Sequence, residues 1–191
     1  MPSGRTHDRI TLWTMPLLAA GTLLATRSSL HGLLATGAYL FGGLMLSPDL
    51  DIHSRPYKRW GPLRWIWLPY RKAMAHRSML SHGPLLGTVL RILYLGTWVL
   101  VAVAIAVVCW AQLQSPKQWQ TLSLVQLEWL LKRGQEKLLL HPAETLLLFL
   151  GLEAGAMSHA LSDWSSSAVK RWRKARAKRI KARQRKPRKR G

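Results

Sequence analysis

Aspartates and histidines carry the chemistry this sequence offers. The chain has eight acidic residues in 191, and each of its four aspartates lies within four residues of a histidine: His7-Asp8, Asp49-Leu50-Asp51-Ile52-His53 and His159-Ala160-Leu161-Ser162-Asp163. Carboxylates beside imidazoles make acid/base or metal sites, because both groups offer lone pairs to one cation. His159 and Asp163, four apart, fall on nearly one face of a helix and can hold an ion between them. The plainer alternative is a His–Asp hydrogen bond at a helix end. Asp49 and Asp51 follow Pro48, and in an extended segment both face one way, which suits a hard or borderline cation. The alternative there is a helix N-cap. His76 and His82 are six apart and would sit on different faces of a regular helix. A joint site needs a turn, and Ser81-His82-Gly83-Pro84 supplies its signal.

The expected metal ligands are therefore His7, Asp49, Asp51, His76, His82, His159 and Asp163. A single catalytic zinc takes about three protein ligands. Seven donors suffice for two ions about 3.5–4 Å apart, the arrangement that activates water against phosphate esters. Nitrogen and oxygen donors without thiolate point to one or two divalent transition ions, zinc, manganese or iron. Asp8 is expected to bridge to His7 or orient it, and His53 to support the ligands from outside. Arg5 and Arg77 are expected to clamp an anionic substrate group. His31 and His141 lack neighbouring carboxylates in this reading and are set aside. With Cys109 as the single cysteine, a disulfide framework and a multi-cysteine zinc module are both excluded.

The elements that must position these residues read as membrane helices. The net charge is +21, yet 48% of the residues are hydrophobic. A disordered polycation does not reach that apolar fraction. Residues 92–111 run without a charge, long enough to cross a hydrocarbon core of roughly 30 Å. Residues 10–26 and 30–46 form two weaker stretches around Arg27-Ser28-Ser29, and 143–161 form a fourth that carries Glu144, Glu153 and His159. The first stretch has the charged flank of a signal peptide but no clean cleavage site after it. With both termini cytoplasmic, 24 Lys and Arg lie inside and 5 outside, which sets the orientation. The same topology puts His7, Asp49, Asp51, His76, His82, His159 and Asp163 at the cytoplasmic ends of their helices.

Residues 57–72 interleave Tyr and Trp with Lys and Arg and read as an interfacial element on anionic lipid headgroups. Residues 122–140 suit an amphipathic helix that lies on the outer face or caps the bundle. A partner such as Arg91 or Arg27 is expected for Glu153, and Gly151, Gly155 and Ala156 form a small-residue face for another helix. From Lys170 onward, 14 basic residues and no acid form a tail whose uses are topology and lipid clamping, unspecific nucleic-acid binding, or neither.

Taken together, the motifs resemble a family of bacterial membrane proteins described as uncharacterised metal-binding proteins. The resemblance rests on residues 2–11, on Ser47-Pro48-Asp49-Leu50-Asp51-Ile52-His53-Ser54, and on Tyr57-Lys58-Arg59-Trp60-Gly61 with Trp67-Leu68-Pro69-Tyr70-Arg71-Lys72. It also rests on His76-Arg77-Ser78-Met79-Leu80-Ser81-His82-Gly83-Pro84, and on Gly155-Ala156-Met157-Ser158-His159 with Leu161-Ser162-Asp163-Trp164. The chain is more distantly similar to LexA-regulated membrane-bound metal-dependent hydrolases, and the resemblance implies metal binding.

The expected architecture is all-α: about four transmembrane or membrane-embedded helices over 1–168 and a polybasic cytoplasmic tail, disordered or helical, over 169–191. The expected protein is a multi-pass one of the bacterial inner membrane, with a cytoplasm-facing His/Asp centre that serves hydrolysis of a phosphoester. Two other classes compete with it, a non-catalytic metal-binding or sensing protein and a membrane anchor whose tail holds lipid or nucleic acid.

Overall fold

The structure, a computed structural model, describes residues 4–74 and 78–184; at 79, 163, 166 and 179–184 it describes the backbone alone. Among the described residues the chain is helical, without a strand. Helix α1 (Gly4–Thr26) turns at Arg27, whose φ of 52° breaks the helix, and Ser28 caps α2 (Ser29–Leu44) by accepting from the His31 amide. A 3-10 turn (Pro48–Asp51) follows. Then come α3 (Arg55–Arg59), a 3-10 turn (Gly61–Trp67), α4 (Leu68–Ala73), α5 (Met79–His82), α6 (Leu86–Gln114), α7 (Trp119–Leu140) and α8 (Pro142–Gln184).

Three helical segments, Ser29–Asp51, Leu86–Gln114 and Pro142–Lys178, are long and apolar enough to cross a membrane. Helix α1 has the length but is not among them. Its first turns carry Arg5, His7, Asp8 and Arg9, and Thr11, Thr14, Thr22 and Thr26 dilute the rest. Those threonines turn their hydroxyls back on carbonyls four residues earlier. The apolar window of α6 is only 6% buried within the protein. A large exposed apolar surface of this kind marks a face for lipid or for another protein.

Helices α2 and α8 pack backbone to backbone. A Cβ on Gly155 would collide with the Tyr39 carbonyl and stand 2.6 Å from the Gly43 amide; one on Gly42 would collide with the Leu152 carbonyl. The small-residue face of α8 is thus spent inside the chain. Helix α7 packs along α6, where Gln126 and Leu130 line a groove together with Val103, Val107 and Trp110.

The aromatic segment after α2 divides between two environments. Tyr57, Trp67 and Tyr70 are buried with Leu46, Leu50 and Ile66, and Tyr94 and Trp98 of α6 pack against them. Trp67 stands edge-on to Tyr70 and Trp60, a favoured arrangement for aromatic quadrupoles. Leu63, Trp65 and Leu68 stay about half exposed. Tyr57, Ile66, Trp67 and Tyr70 of this segment thus belong to a core at the end of the bundle, because α6 brings Tyr94 and Trp98 against them.

Candidate metal centre

Helices α1 and α8 meet through a polar seam. Thr11 Oγ1 donates to the His7 carbonyl at 3.2 Å and lies 3.4 Å from Ser158 Oγ. One turn lower, Ser162 Oγ and His7 Nδ1 share a hydrogen bond of 2.8 Å. The seam stacks the His7 ring on His159, centroids 3.8 Å apart and 12° from parallel, each residue 3% exposed. With Nδ1 of His7 engaged by a serine, Nε2 is the atom that would carry a metal bond.

The carboxylates arrive from the end of α2. Pro48 starts the 3-10 turn, and Ser54 Oγ donates to the Asp49 carbonyl at 2.6 Å, which holds the turn closed. Asp49 Oδ1 lies 3.5 Å from His82 Nε2, and Asp51 Oδ2 lies 3.9 Å from His82 Nδ1. His159, His82 and His7 all act electrostatically on the Asp49 carboxylate. Five of the seven expected ligands, His7, Asp49, Asp51, His82 and His159, therefore gather at one end of the bundle from four separate stretches of chain. His76 and Arg77 lie outside the described residues. Asp163 follows His159 by one turn on α8, and its side chain is not described.

The supporting residues fall elsewhere than expected. Asp8 does not bridge to His7: neighbours on a helix point about 100° apart, and its Oδ2 accepts from Arg55 Nη1 and stands 2.7 Å from Arg59 Nη2. His53 is exposed and sits edge-on to Tyr57. Arg5 is exposed. His31 and His141, set aside for want of a carboxylate, both have one: Glu144 Oε1 lies 3.9 Å from His31 Nε2 and 3.5 Å from His141 Nδ1. The first approach is tertiary; the second was available as an i, i+3 spacing.

Residues that sequence reasoning did not place at the site hold it in shape. Arg91 of α6, 1% exposed, donates from Nη1 to the Ser81 carbonyl at 2.8 Å and from Nη2 to Thr88 Oγ1 at 3.0 Å. Asp51 and Glu153 both act on it electrostatically. Glu153 Oε1 accepts from the Leu85 amide at 3.0 Å, where φ is 62°. Arg91 and Glu153 thus hold the 81–85 turn from two helices and present His82 to the aspartates. Ser81 Oγ shares a 2.9 Å hydrogen bond with His82 Nδ1. The signal for Arg91 was a cation at the end of an otherwise apolar span, where an unpaired charge is costly. Burial pushes the Tyr70 phenol above its ordinary range, so it stays protonated beside this network.

Among the described residues no three His, Cys, Asp or Glu close into a ready coordination sphere. The donor types nevertheless suit a borderline cation: imidazole nitrogens, two carboxylates to neutralise charge, and serines that orient the rings.

A model of a family described as "Uncharacterized metal-binding protein (DUF2227)" matches residues 2–173. An "Uncharacterized protein" of Aquifex aeolicus (strain VF5) is 45% identical over 58 residues, which span 30% of this chain and 40% of that protein. The chain thus covers less than half the length of that relative. No solved structure matches the chain.

Proposed function

This chain belongs to the DUF2227 family of uncharacterized metal-binding proteins, and we propose that it is a multi-pass protein of the bacterial inner membrane whose His/Asp centre serves metal-assisted hydrolysis of a phosphoester at the cytoplasmic surface. One observation carries the proposal: His7, Asp49, Asp51, His82 and His159 converge although α1, the turn after α2, α5 and α8 supply them separately. His76 and Asp163 complete the ligand set. The membrane reading is supported by three helices of spanning length and by the exposed apolar surface of α6. Helix α1, packed on α2, is the fourth membrane-embedded helix. The excess of Lys and Arg on one side orients both termini to the cytoplasm.

A bound divalent ion supplies Lewis-acid polarisation of a phosphoryl oxygen and lowers the pKa of water. The chain's own groups do the rest. Asp49 and Asp51 would offset the ion's positive charge as carboxylate ligands. Ser162 and Ser81 fix the orientation of His7 and His82, and Arg91 keeps the His82 turn in place. The test is metal analysis of detergent-purified protein, with expected binding of one or two transition ions per chain. Unchanged metal content in the Asp49→Ala/His159→Ala double variant would overturn the ligand assignment.

The burial of His7, His159 and Asp51, each at or below 6% exposed, favours a second reading, a non-catalytic metal-binding or sensing protein with a filled coordination sphere. The two separate on turnover of a generic phosphodiester by the metal-loaded protein and on water exchange at a manganese-substituted site. Hydrolysis with a fast-exchanging water supports the enzyme, and their joint absence supports the sensor.

A further inference from the structure

Helix α3 starts four residues beyond the candidate span Ser29–Asp51 and carries Arg55 and Arg59 one turn apart, with Lys58 beside them. These three exposed side chains line a cavity of about 230 Å3. Two acceptors pin the guanidinium groups. Asp8 Oδ2 takes one hydrogen bond from Arg55 and an ion pair from Arg59, and the Leu44 carbonyl at the end of α2 accepts from Arg59 Nη1 at 2.9 Å. Three cations face one paired carboxylate, so the notch keeps a net positive charge. Each guanidinium also has donors to spare beyond those contacts. The 3-10 turn packed next to α3 exposes Leu63 and Trp65, and Leu68 follows at the start of α4.

We propose that Arg55, Lys58 and Arg59 form a binding site for the phosphate of an anionic phospholipid, with the apolar part of the lipid beside Leu63, Trp65 and Leu68. This rests on the membrane reading above and is independent of whether the metal centre turns over substrate. Charge complementarity selects an anion. Forks already held in place bind phosphate at little ordering cost. The exposed apolar residues beside them select a lipid over a free phosphate. Asp8 occupies part of the donor array and so competes with the headgroup, which gives the site a sign that a purely structural ion pair lacks.

The experiment uses full-length protein in a neutral detergent, titrated with phosphatidylglycerol or phosphatidylcholine and read by native mass spectrometry and by thermal unfolding. Phosphatidylglycerol is expected to bind at least about tenfold more tightly, with each cation removed costing about fivefold. Lys58→Gln is the first variant, because its exposed ammonium has no ion pair among the described residues; Arg55→Gln/Lys58→Gln extends the series. Asp8→Asn is expected to tighten binding. Equal binding of the two lipids, an unchanged preference in the double variant, or displacement of phosphatidylglycerol by inorganic phosphate at equal concentration would each overturn the lipid site. Protein that stays monodisperse without detergent would instead sink the membrane reading.

Discussion

His7 near the start of the chain lies ring on ring against His159, 152 residues later, at a centroid distance of 3.8 Å. Two helices that are distant in sequence are thereby locked at the level where Asp49 and His82 also arrive. Removing either ring should cost metal and leave the helices. His7→Ala and His159→Ala are each expected to lower metal affinity by well over tenfold with unchanged helical circular dichroism. Isothermal titration of zinc into the apo protein measures it, and wild-type affinity in both variants would refute the shared centre.

Ser162 touches His7 and none of the carboxylates described. Its expected role is to orient the ring, so Ser162→Ala should weaken metal binding by about 10–100-fold, the usual cost of losing an outer hydrogen bond to a ligand histidine. Ser162→Thr keeps the hydroxyl and should recover most of that loss. Competition against a chromophoric chelator resolves the difference.

Arg91 is a buried cation among Asp51, Glu153 and Tyr70. Arg91→Met leaves the carboxylates uncompensated, which typically costs about 3–5 kcal/mol. The expected outcome is a large drop in the thermal midpoint in detergent, together with lost metal affinity as the His82 turn loosens. Arg91→Lys keeps the charge without the fork, and should restore more stability than affinity.

The α2–α8 contact admits no side chain at Gly155. Gly155→Ala should cost about 1–3 kcal/mol by overpacking, and Gly155→Leu should part the helices and abolish the centre four residues away at His159. Gly21, with open space around its Cβ position, is the control: Gly21→Ala should leave stability and metal content intact. Equal effects at the two glycines would refute the close packing.

Much of this molecule is written in local pattern. Apolar runs locate α2, α6 and the first half of α8, and Arg27-Ser28-Ser29 marks the turn between α1 and α2, because helix formation depends on residues within a turn or two of one another. The aspartate–histidine pairs pointed to a metal centre for the same reason: donor chemistry is a property of residue type. The Gly151–Gly155 face was readable as a packing surface, since only small residues allow backbones to touch.

Partner choice was decided in three dimensions. Asp8 and His7 are neighbours in the chain, yet Asp8 goes to Arg55 and Arg59 while His7 goes to Ser162 and His159. Helical rotation separates adjacent side chains, and the packing of α1 against α3 and α8 determines what each then meets. Trp67 and Tyr70 had the composition of a membrane interface and became a core because α6 brings Tyr94 and Trp98 to them. Arg91 was expected as a partner for Glu153, and only its burial and its hydrogen bond to the Ser81 carbonyl made it the support of the His82 turn. Residue type and spacing determine what a side chain can do; which group it does it with depends on distances that close only when remote segments pack.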